Sequence, residues 1–480
     1  MLHSPLGPFL VRIPGEARAT AGAVSSFPID RDLSKSSSKA TLDTRLRIGL
    51  EFETLPSASS RWTLAAVYRH EFLVGTVAGR PEGIAGESLP HDELIDQAWR
   101  MGYVKASYDR WITLAAGLQL SHWGLGLLAN DADHGAEFGS GRFSLPYAPD
   151  QSLRASLTVL PFYTLSGSPA RGLAFFFAAD RVWSDFNARY LDDDKAWQGV
   201  GAVKWILGAG TDLGLYAVRR FQTNADGKSI RVSVLDAAGQ ARWRLRSDLA
   251  LVGGYEIAGI TGTTTLVPTV SYPEHDVKQL GAAATVGVEP RNAGAWLDFV
   301  YASGDQNLYD RDQNAFHSNR SFDVGFLLFR EIIRYQTGRA AATAGNRNLV
   351  GVPAEDLNRV ASEGTVTNAI VVSPRGSYRP LPWLETYGRP VFAWTSVPWA
   401  DPFNTNLAGG VPRNALNAVG GRYYGTELDL GVRAQYRTEQ IETLCSVEGG
   451  VLFPGSAFAL PSGGNMDRVY GGRVTLRARF

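Results

Sequence analysis

Charged and apolar residues alternate with a period of two in many stretches of this chain, and this alternation constrains the fold more than any other feature. Between residues 42 and 53, Leu46 and Leu50 share an apolar face, whereas Arg45 and Arg47 lie on a charged one. A period of two is typical of β-strands, in which successive side chains point to opposite faces. The sequence therefore predicts an all-β protein. The same alternation recurs in 242–256, 424–436 and 473–480.

A membrane location is compatible with strands and not with helices. A spanning helix needs about 20 predominantly apolar residues. The stretch 111–130 has that length without a charge, but it contains Gln119 and His122 and alternates with period two. A spanning strand needs only about 9–11 residues with one apolar face. The mean hydropathy of −0.12 therefore excludes a helical bundle and permits a membrane β-barrel.

Charge and cysteine content exclude several function classes. The chain has 47 basic and 47 acidic residues, for a formal net charge of zero. Nucleic-acid-binding proteins carry a basic surface, so we predict no nucleic-acid partner. The single cysteine, Cys445, excludes an internal disulfide, a cysteine zinc site and a redox pair of cysteines. We predict no cofactor.

A soluble β-sandwich also alternates, but two features favour an outer-membrane barrel. The charged face recurs along the whole chain, which suits a polar lumen. Aromatic residues such as Trp62, Tyr255 and Tyr436 lie near strand ends, as interface girdles do. The terminal Phe480, on an alternating last strand, resembles the recognition signal of outer-membrane barrels. We therefore predict a transmembrane antiparallel up-and-down β-barrel in the bacterial outer membrane, surrounded by outer-membrane lipid.

The region 41–480 divides into seventeen predicted strands joined alternately by short and long connections. Short periplasmic turns and long extracellular loops are the usual asymmetry of such barrels. The predicted strands are 41–53, 61–72, 97–108, 111–123, 151–162, 171–183, 197–207, 212–222, 229–236, 241–256, 277–289, 292–304, 366–374, 383–395, 422–436, 441–453 and 468–480.

The odd strand number predicts that one strand is missing. Bacterial single-chain barrels normally have even strand numbers, so we expect eighteen strands in the intact protein. Residues 1–40 contain Pro5, Pro8 and Pro14, which disfavour a strand, and we predict an irregular segment there. The chain also begins without a basic segment followed by a long apolar run. We therefore expect an export signal and the first upward strand to precede the recorded start.

The inward faces of the predicted strands supply the candidate substrate pathway. Arginine side chains suit transient pairing with carboxylates of a passing solute, and many weak sites suit conduction. The alternative, that these ions pair across strands and stabilise the wall, has about equal weight for any one residue. Three arginines of 242–246 lie on one face and form the favoured cluster. The candidate pathway residues are Arg45, Arg47, Arg154, Arg242, Arg244, Arg246, Arg433, Arg477, Glu427 and Asp429.

The connection 305–365 is too long to be a simple loop. Loops beyond about 12–15 residues are usually functional or disordered. Within it, residues 326–335 read Phe-Leu-Leu-Phe-Arg-Glu-Ile-Ile-Arg-Tyr and predict a short amphipathic helix or strand. This segment either folds inward as a constriction or caps the extracellular rim, and the sequence supports the two equally.

Three short motifs resemble barrels related to the alginate-export porins. Residues 123–131 read Trp-Gly-Leu-Gly-Leu-Leu-Ala-Asn-Asp, and 301–307 read Tyr-Ala-Ser-Gly-Asp-Gln-Asn. The third motif joins Gly-Thr-Glu-Leu-Asp-Leu at 425–430 to Phe-Pro-Gly at 453–455. The resemblance implies an eighteen-stranded outer-membrane barrel that passes an anionic exopolysaccharide outward. It also implies a polysaccharide substrate. Because the outer membrane offers no ATP, export would need a periplasmic or inner-membrane export machinery as a partner.

The expected function is a passive conduit, not an enzyme, and two alternatives remain. The first is an uptake porin for small anionic or neutral solutes. The second is a barrel enzyme that acts on lipid or polymer. A wide, conducting lumen favours transport, whereas a narrow, packed lumen with converging Ser, His and Asp side chains favours the enzyme.

Overall fold

The structure is a computed structural model. It describes residues 3–4, 7–36, 40–55, 60–76, 95–133, 137–143, 149–307, 309–351 and 357–480. The parts of the predicted 1–40 and 305–365 segments outside these ranges lie outside the described residues.

One antiparallel sheet of eighteen long strands forms the molecule, and shorter strands at His3–Ser4, Gly7–Arg12 and Asp312–Gln313 join it. The eighteen strands, numbered here β1 to β18, are Gly15–Val24, Thr41–Thr54, Trp62–Thr76, Ile95–Tyr108, Ile112–Leu120, Gln151–Val159, Leu173–Ser184, Lys195–Gly208, Thr211–Thr223, Ser229–Arg246, Leu249–Thr264, His275–Pro290, Ala293–Ala302, Ala369–Leu381, Leu384–Trp394, Tyr423–Arg437, Glu442–Pro454 and Val469–Arg479.

The sheet closes into a barrel because its last strand pairs with its first. Residues 471–479 of β18 are antiparallel to 16–24 of β1, with Arg479 opposite Glu16. At one end β8–β9, β10–β11, β12–β13 and β14–β15 are joined by two-residue turns, whereas long loops leave the other end. The end with short turns is periplasmic by the usual rule. The predicted eighteen-stranded up-and-down barrel is confirmed.

The first strand of the barrel lies within the described chain, so the prediction of an absent strand and an irregular 1–40 segment was wrong. Strand β1 pairs with β2 on one side and β18 on the other. Its outward positions are alanines, among them Ala17 and Ala19, next to the exposed Leu46 and Leu476. Alanines give little hydropathy contrast, and Pro14 directly precedes the strand, so the alternation was hidden.

The predicted turn at 237–240 was also wrong. Strand β10 continues to Arg246, and the turn to β11 occupies residues 247–248. The small residues at 237–239 serve packing: a Cβ on Gly239 would lie 2.8 Å from the Tyr255 ring and 2.7 Å from Leu213. Small side chains here therefore make room for neighbouring large ones within a continuous ladder.

The outer wall is apolar and the inner wall is charged. In β16, Leu428, Leu430 and Val432 are exposed, whereas Glu427 and Asp429 are buried. Outward apolar side chains that alternate with inward polar ones are the arrangement of a membrane barrel. Within the described parts of the long connections, α-helices span Arg334–Ala344, Arg347–Val350 and Pro402–Leu407. No helix in the described ranges has the length and apolar character required to cross a membrane.

The largest hydrophobic core lies inside the barrel. It combines inward strand residues such as Val371 and Val391 with Leu127, Leu327 and Ile332 from the long connections, all essentially buried. The connections are thus packed against the inner wall and against one another. Their packing narrows the lumen and determines where a solute-sized space remains.

Candidate functional site

Two long connections enter the lumen, and buried wall glutamates hold them there. Glu256 in β11 is fully buried. Its carboxylate accepts backbone N–H bonds from Leu125 (2.6 Å), Leu127 (3.1 Å) and Leu128 (3.1 Å). Gly124 has φ of +57°, and a Cβ there would lie 2.5 Å from that carboxylate, so glycine permits the close approach. The motif 123–131 therefore forms a backbone cradle around a wall carboxylate.

The second connection uses the same arrangement. The carboxylate of Glu427 in β16 accepts backbone N–H bonds from Phe326, Leu327 (2.7 Å) and Leu328 (2.8 Å). Residues 326–333 are therefore inside the barrel and attached to its wall, and π-helical turns over Leu328–Ile333 lead into the helix Arg334–Ala344. Glu427, a predicted pathway residue, holds this connection in place.

A third wall glutamate fixes the connection 121–150 a second time. Glu385 in β15 is fully buried and accepts the N–H groups of Gly139 (2.7 Å) and Gly141 (2.9 Å). The guanidinium of Arg433 lies 3.4 Å from the same carboxylate and donates to the carbonyl oxygens of Glu137 and Arg142. Residues 137–143 are thereby held across the lumen.

Most of the predicted lumen arginines are neutralised by neighbours. Arg45 pairs with Glu16 and Arg47 with Glu71, and Arg47 also lies 2.8 Å from Asp133. Because these side chains are largely buried, the pairs compensate the cost of placing charge in the wall. These contacts favour the wall-stabilising alternative for this part of the predicted pathway.

Arg154, Asp429 and Arg477 are also paired. Arg154 donates two hydrogen bonds to the carboxylate of Asp180, from Nε to Oδ1 and from Nη2 to Oδ2, each 2.7 Å long. Asp429 lies 3.2 Å from Arg389, and Arg477 lies 3.2 Å from Glu442. Paired buried ions fix the wall, and each would have to exchange partners to bind a solute.

The favoured cluster Arg242, Arg244 and Arg246 lies away from the narrow part of the lumen. All three side chains are exposed near the periplasmic turn after β10. Arg242 pairs with Glu289 at 2.5 Å, and Arg246 lies 3.5 Å from Asp248. The structure places these three arginines at the periplasmic mouth, and their role in a substrate pathway stays a prediction.

A cavity of about 230 Å³ lies between the inserted connections and the wall strands β1, β2, β16, β17 and β18. Three predicted pathway residues, Arg45, Arg433 and Arg477, line it. A smaller space of about 30 Å³ lies against β12 to β15. Leu125, Arg142, Phe322 and Asp323 line both spaces.

Arg142 differs from the other arginines of this site. It is half-buried, and the described residues supply no hydrogen bond or ion pair to its guanidinium. Its acidic neighbours Asp298 and Asp323 are already paired with Arg375 and Arg389. Burial, followed by the nearby Arg375, lowers the pKa of Arg142 below its usual value. Arginine nevertheless remains protonated in proteins, so Arg142 presents a cation between the two spaces that no described carboxylate contacts as an ion pair.

Sequence reasoning missed the residues that shape this site. Arg142 lies in a loop without periodicity, so no face could be assigned to it. Glu256 and Glu385 belong to strands whose alternation was evident, but their partners are backbone N–H groups more than 100 residues away in the chain. One signal was present: Gly-Leu-Gly-Leu-Leu at 124–128 and Gly-Phe-Leu-Leu at 325–328 are similar, and both form the same cradle.

The fold is similar to that of solved outer-membrane porins. OccK2 (OpdF) of Pseudomonas aeruginosa matches with a TM-score of 0.52 and 11% identity, over 98% of this chain and 97% of that chain. Its complex with glucuronate matches equally well, over 98% of both chains. OccAB1 of Acinetobacter baumannii matches with a TM-score of 0.51 and 9% identity, over 98% and 96%. At these identities the similarity establishes the fold.

No protein-family model matches the chain, and no curated protein matches its sequence. The fold and the apolar outer wall agree with an integral outer-membrane barrel, as predicted. The resemblance inferred from the sequence is confirmed as an outer-membrane porin fold, whereas the alginate-export type finds no support among these structures.

Proposed function

We propose that this barrel is a passive channel through which small anionic solutes enter the periplasm. The guanidinium of Arg142 carries this proposal, because it lies between two spaces inside the lumen and has no ion-paired partner among the described residues. An arginine fork binds carboxylates through two parallel hydrogen bonds. A cation of this kind in a polar passage provides a weak anion site, and weak sites suit conduction because the solute can leave again.

The packed lumen favours a small solute over a polymer. Two inserted connections leave a cavity of about 230 Å³, and buried glutamates hold both against the wall. A continuous anionic polysaccharide would require both connections to leave the lumen, at the cost of several buried hydrogen bonds. Uptake therefore replaces polysaccharide export as our leading proposal, and an export machinery is no longer needed as a partner.

Carboxylated small molecules are the solutes that we favour. The solved structure of OccK2 in complex with glucuronate shows that a barrel of this fold binds a carboxylated sugar. The passage around Arg142 offers the same kind of chemistry, since this guanidinium has no ion-paired partner among the described residues. We propose no chemical step.

Single-channel recording in a planar bilayer tests the proposal. We expect a small, anion-preferring current for the wild-type barrel and a concentration-dependent block by glucuronate. Arg142→Gln removes this positive charge with little change in volume, and we expect it to abolish the anion preference and the block. Arg219→Gln is the matched control, because Arg219 is exposed on the outward face of β9 and lies outside the lumen.

Two results would contradict the proposal. One is an anion preference that survives in Arg142→Gln, which would place selectivity elsewhere. The other is a complete absence of current in folded wild-type protein, which would favour a sealed barrel with another role.

A further inference from the structure

Three arginines of the strand wall point outward, away from the lumen. Arg181 in β7, Arg219 in β9 and Arg231 in β10 alternate with buried inward residues such as Asp180 and Arg220. Each lies within five residues of the extracellular end of its strand. We call them the outer arginine patch. The other arginines of the described strands occupy inward positions or lie beside the periplasmic turns.

The strand register brings the patch together. Arg181 is opposite Trp197 in β8, Trp197 is opposite Phe221 in β9, and Phe221 is opposite Arg231. Neighbouring strands are about 4.8 Å apart, so this row spans about 14 Å. Arg219 lies two residues from Phe221 and diagonally opposite Arg231. The patch therefore combines three cations with two aromatic rings on one continuous outer surface.

Aromatic rings or a hydroxyl contact two of these cations, Arg181 and Arg219. The Arg181 guanidinium lies between Tyr190 (5.0 Å) and Trp197 (4.9 Å). The Arg219 guanidinium lies 5.0 Å from the centre of the Phe221 ring, and it donates a hydrogen bond of 2.8 Å to the Ser233 hydroxyl. The part of the chain that the structure describes places no carboxylate within ion-pairing distance of the three arginines. By contrast, the inward neighbour Arg220 pairs with Asp185 at 2.5 Å.

The position of the patch determines its ligand chemistry. Outward charges on a barrel are costly at the bilayer midplane and cost little near the interface, where lipid headgroups lie. Arginine forks bind phosphate oxygens through two hydrogen bonds. Trp197 and Phe221 are 55% and 50% exposed on the same wall, at a level where aromatic rings contact the upper ends of acyl chains. An amphipathic ligand satisfies both components, whereas free phosphate satisfies only the cations.

We propose that the outer arginine patch binds the phosphate groups of anionic lipid in the outer leaflet. The barrel would thereby hold a shell of phosphorylated lipid on the β7–β10 side. This inference concerns the outer wall and is independent of the solute that passes through the lumen.

Lipid titration of the purified barrel in neutral detergent tests the proposal. Native mass spectrometry would follow binding of bisphosphorylated lipid A and of the same lipid after removal of its phosphates. The test variant is Arg181→Gln/Arg219→Gln/Arg231→Gln. The control Arg242→Gln/Arg244→Gln/Arg246→Gln removes the same charge at the periplasmic rim. Each arginine near the membrane surface strengthens the binding of anionic lipid about fivefold. Because the test variant lacks three arginines, we expect it to bind lipid A on the order of 100-fold more weakly.

The remaining outcomes are as informative. The control triple variant should bind like wild type, and dephosphorylated lipid should bind weakly to all three proteins. Should the triple variant fail to fold, Arg231→Gln alone is expected to weaken binding about fivefold. Equal binding by wild type and a folded test variant would overturn the proposal. The proposal would also be overturned if inorganic phosphate protected the barrel against unfolding as strongly as lipid A does. The site would then select free anions and not lipid.

Discussion

Replacement of Glu385 by Gln tests whether wall carboxylates hold the inserted connection in the lumen. The carboxylate accepts two backbone N–H bonds, from Gly139 and Gly141, and lies next to Arg433. An amide of the same shape places an NH₂ group where one oxygen was, so at least one buried N–H loses its acceptor. An unpaired buried donor costs about 1–3 kcal/mol, and hydrogen bonds to a charged acceptor are stronger than neutral ones. We expect a loss of about 2–4 kcal/mol in the free energy of unfolding.

Urea unfolding of the barrel in lipid vesicles, followed by tryptophan fluorescence, measures this change. Glu53→Gln is the control, since Glu53 pairs with Arg12 at 3.9 Å near the periplasmic end of β2 and an exposed pair contributes at most about 1 kcal/mol. The segment released by Glu385→Gln carries Arg142, so we also expect larger current fluctuations in single-channel records. A Glu385→Gln protein with wild-type stability and a quiet wild-type current would refute the anchoring role.

Three further predictions concern the wall and one loop. Asp180→Asn leaves the buried charge of Arg154 without its partner, and we expect a loss of about 3–5 kcal/mol in urea unfolding. Gly117→Ala places a Cβ 2.3 Å from a backbone oxygen at φ +132°, so a loss of about 1–3 kcal/mol is expected, whereas Gly199→Ala, with open space around it, should be neutral. Burial raises the pKa of Asp150 to about 8. The unfolded chain loses this proton near pH 4 and the folded chain near pH 8, so stability should fall as pH rises between these values. Asp150→Asn should remove this slope, and an unchanged pH profile would contradict the assignment.

Local alternation was sufficient to predict the barrel, and its failures have physical causes. Strand β2 was recognised because Leu46, Ile48 and Leu50 contrast with charged neighbours. Strand β1 was missed because its outward side chains are alanines. The β10–β11 turn was misplaced because Gly239 accommodates the ring of Tyr255 and does not form a turn. Alternation reports which face meets lipid, and small residues selected for packing remove that signal.

The candidate site was less predictable, because it depends on contacts between distant segments. The sequence identified inward arginines but could not show which of them have acidic partners. Arg45 and Arg433 are on the inner wall as expected, and carboxylates close by neutralise both. Arg142 lies in an aperiodic loop, and its position depends on the backbone contacts of residues 139 and 141 with Glu385. A residue held by such a long-range anchor has no local signature.

A net charge of zero therefore gives little information about what this barrel attracts. Most inward arginines contribute to the wall, because a buried ion pair is neutral at a distance. The cations that we propose to act on other molecules are those without an ion-paired carboxylate among the described residues, and two such sites carry our proposals. Arg142 is inside the lumen, where it favours a small anionic solute. The outer arginine patch faces the lipid, where it favours phosphate headgroups. The arrangement of unpaired charge, and not its sum, thus determines the two interactions that we propose.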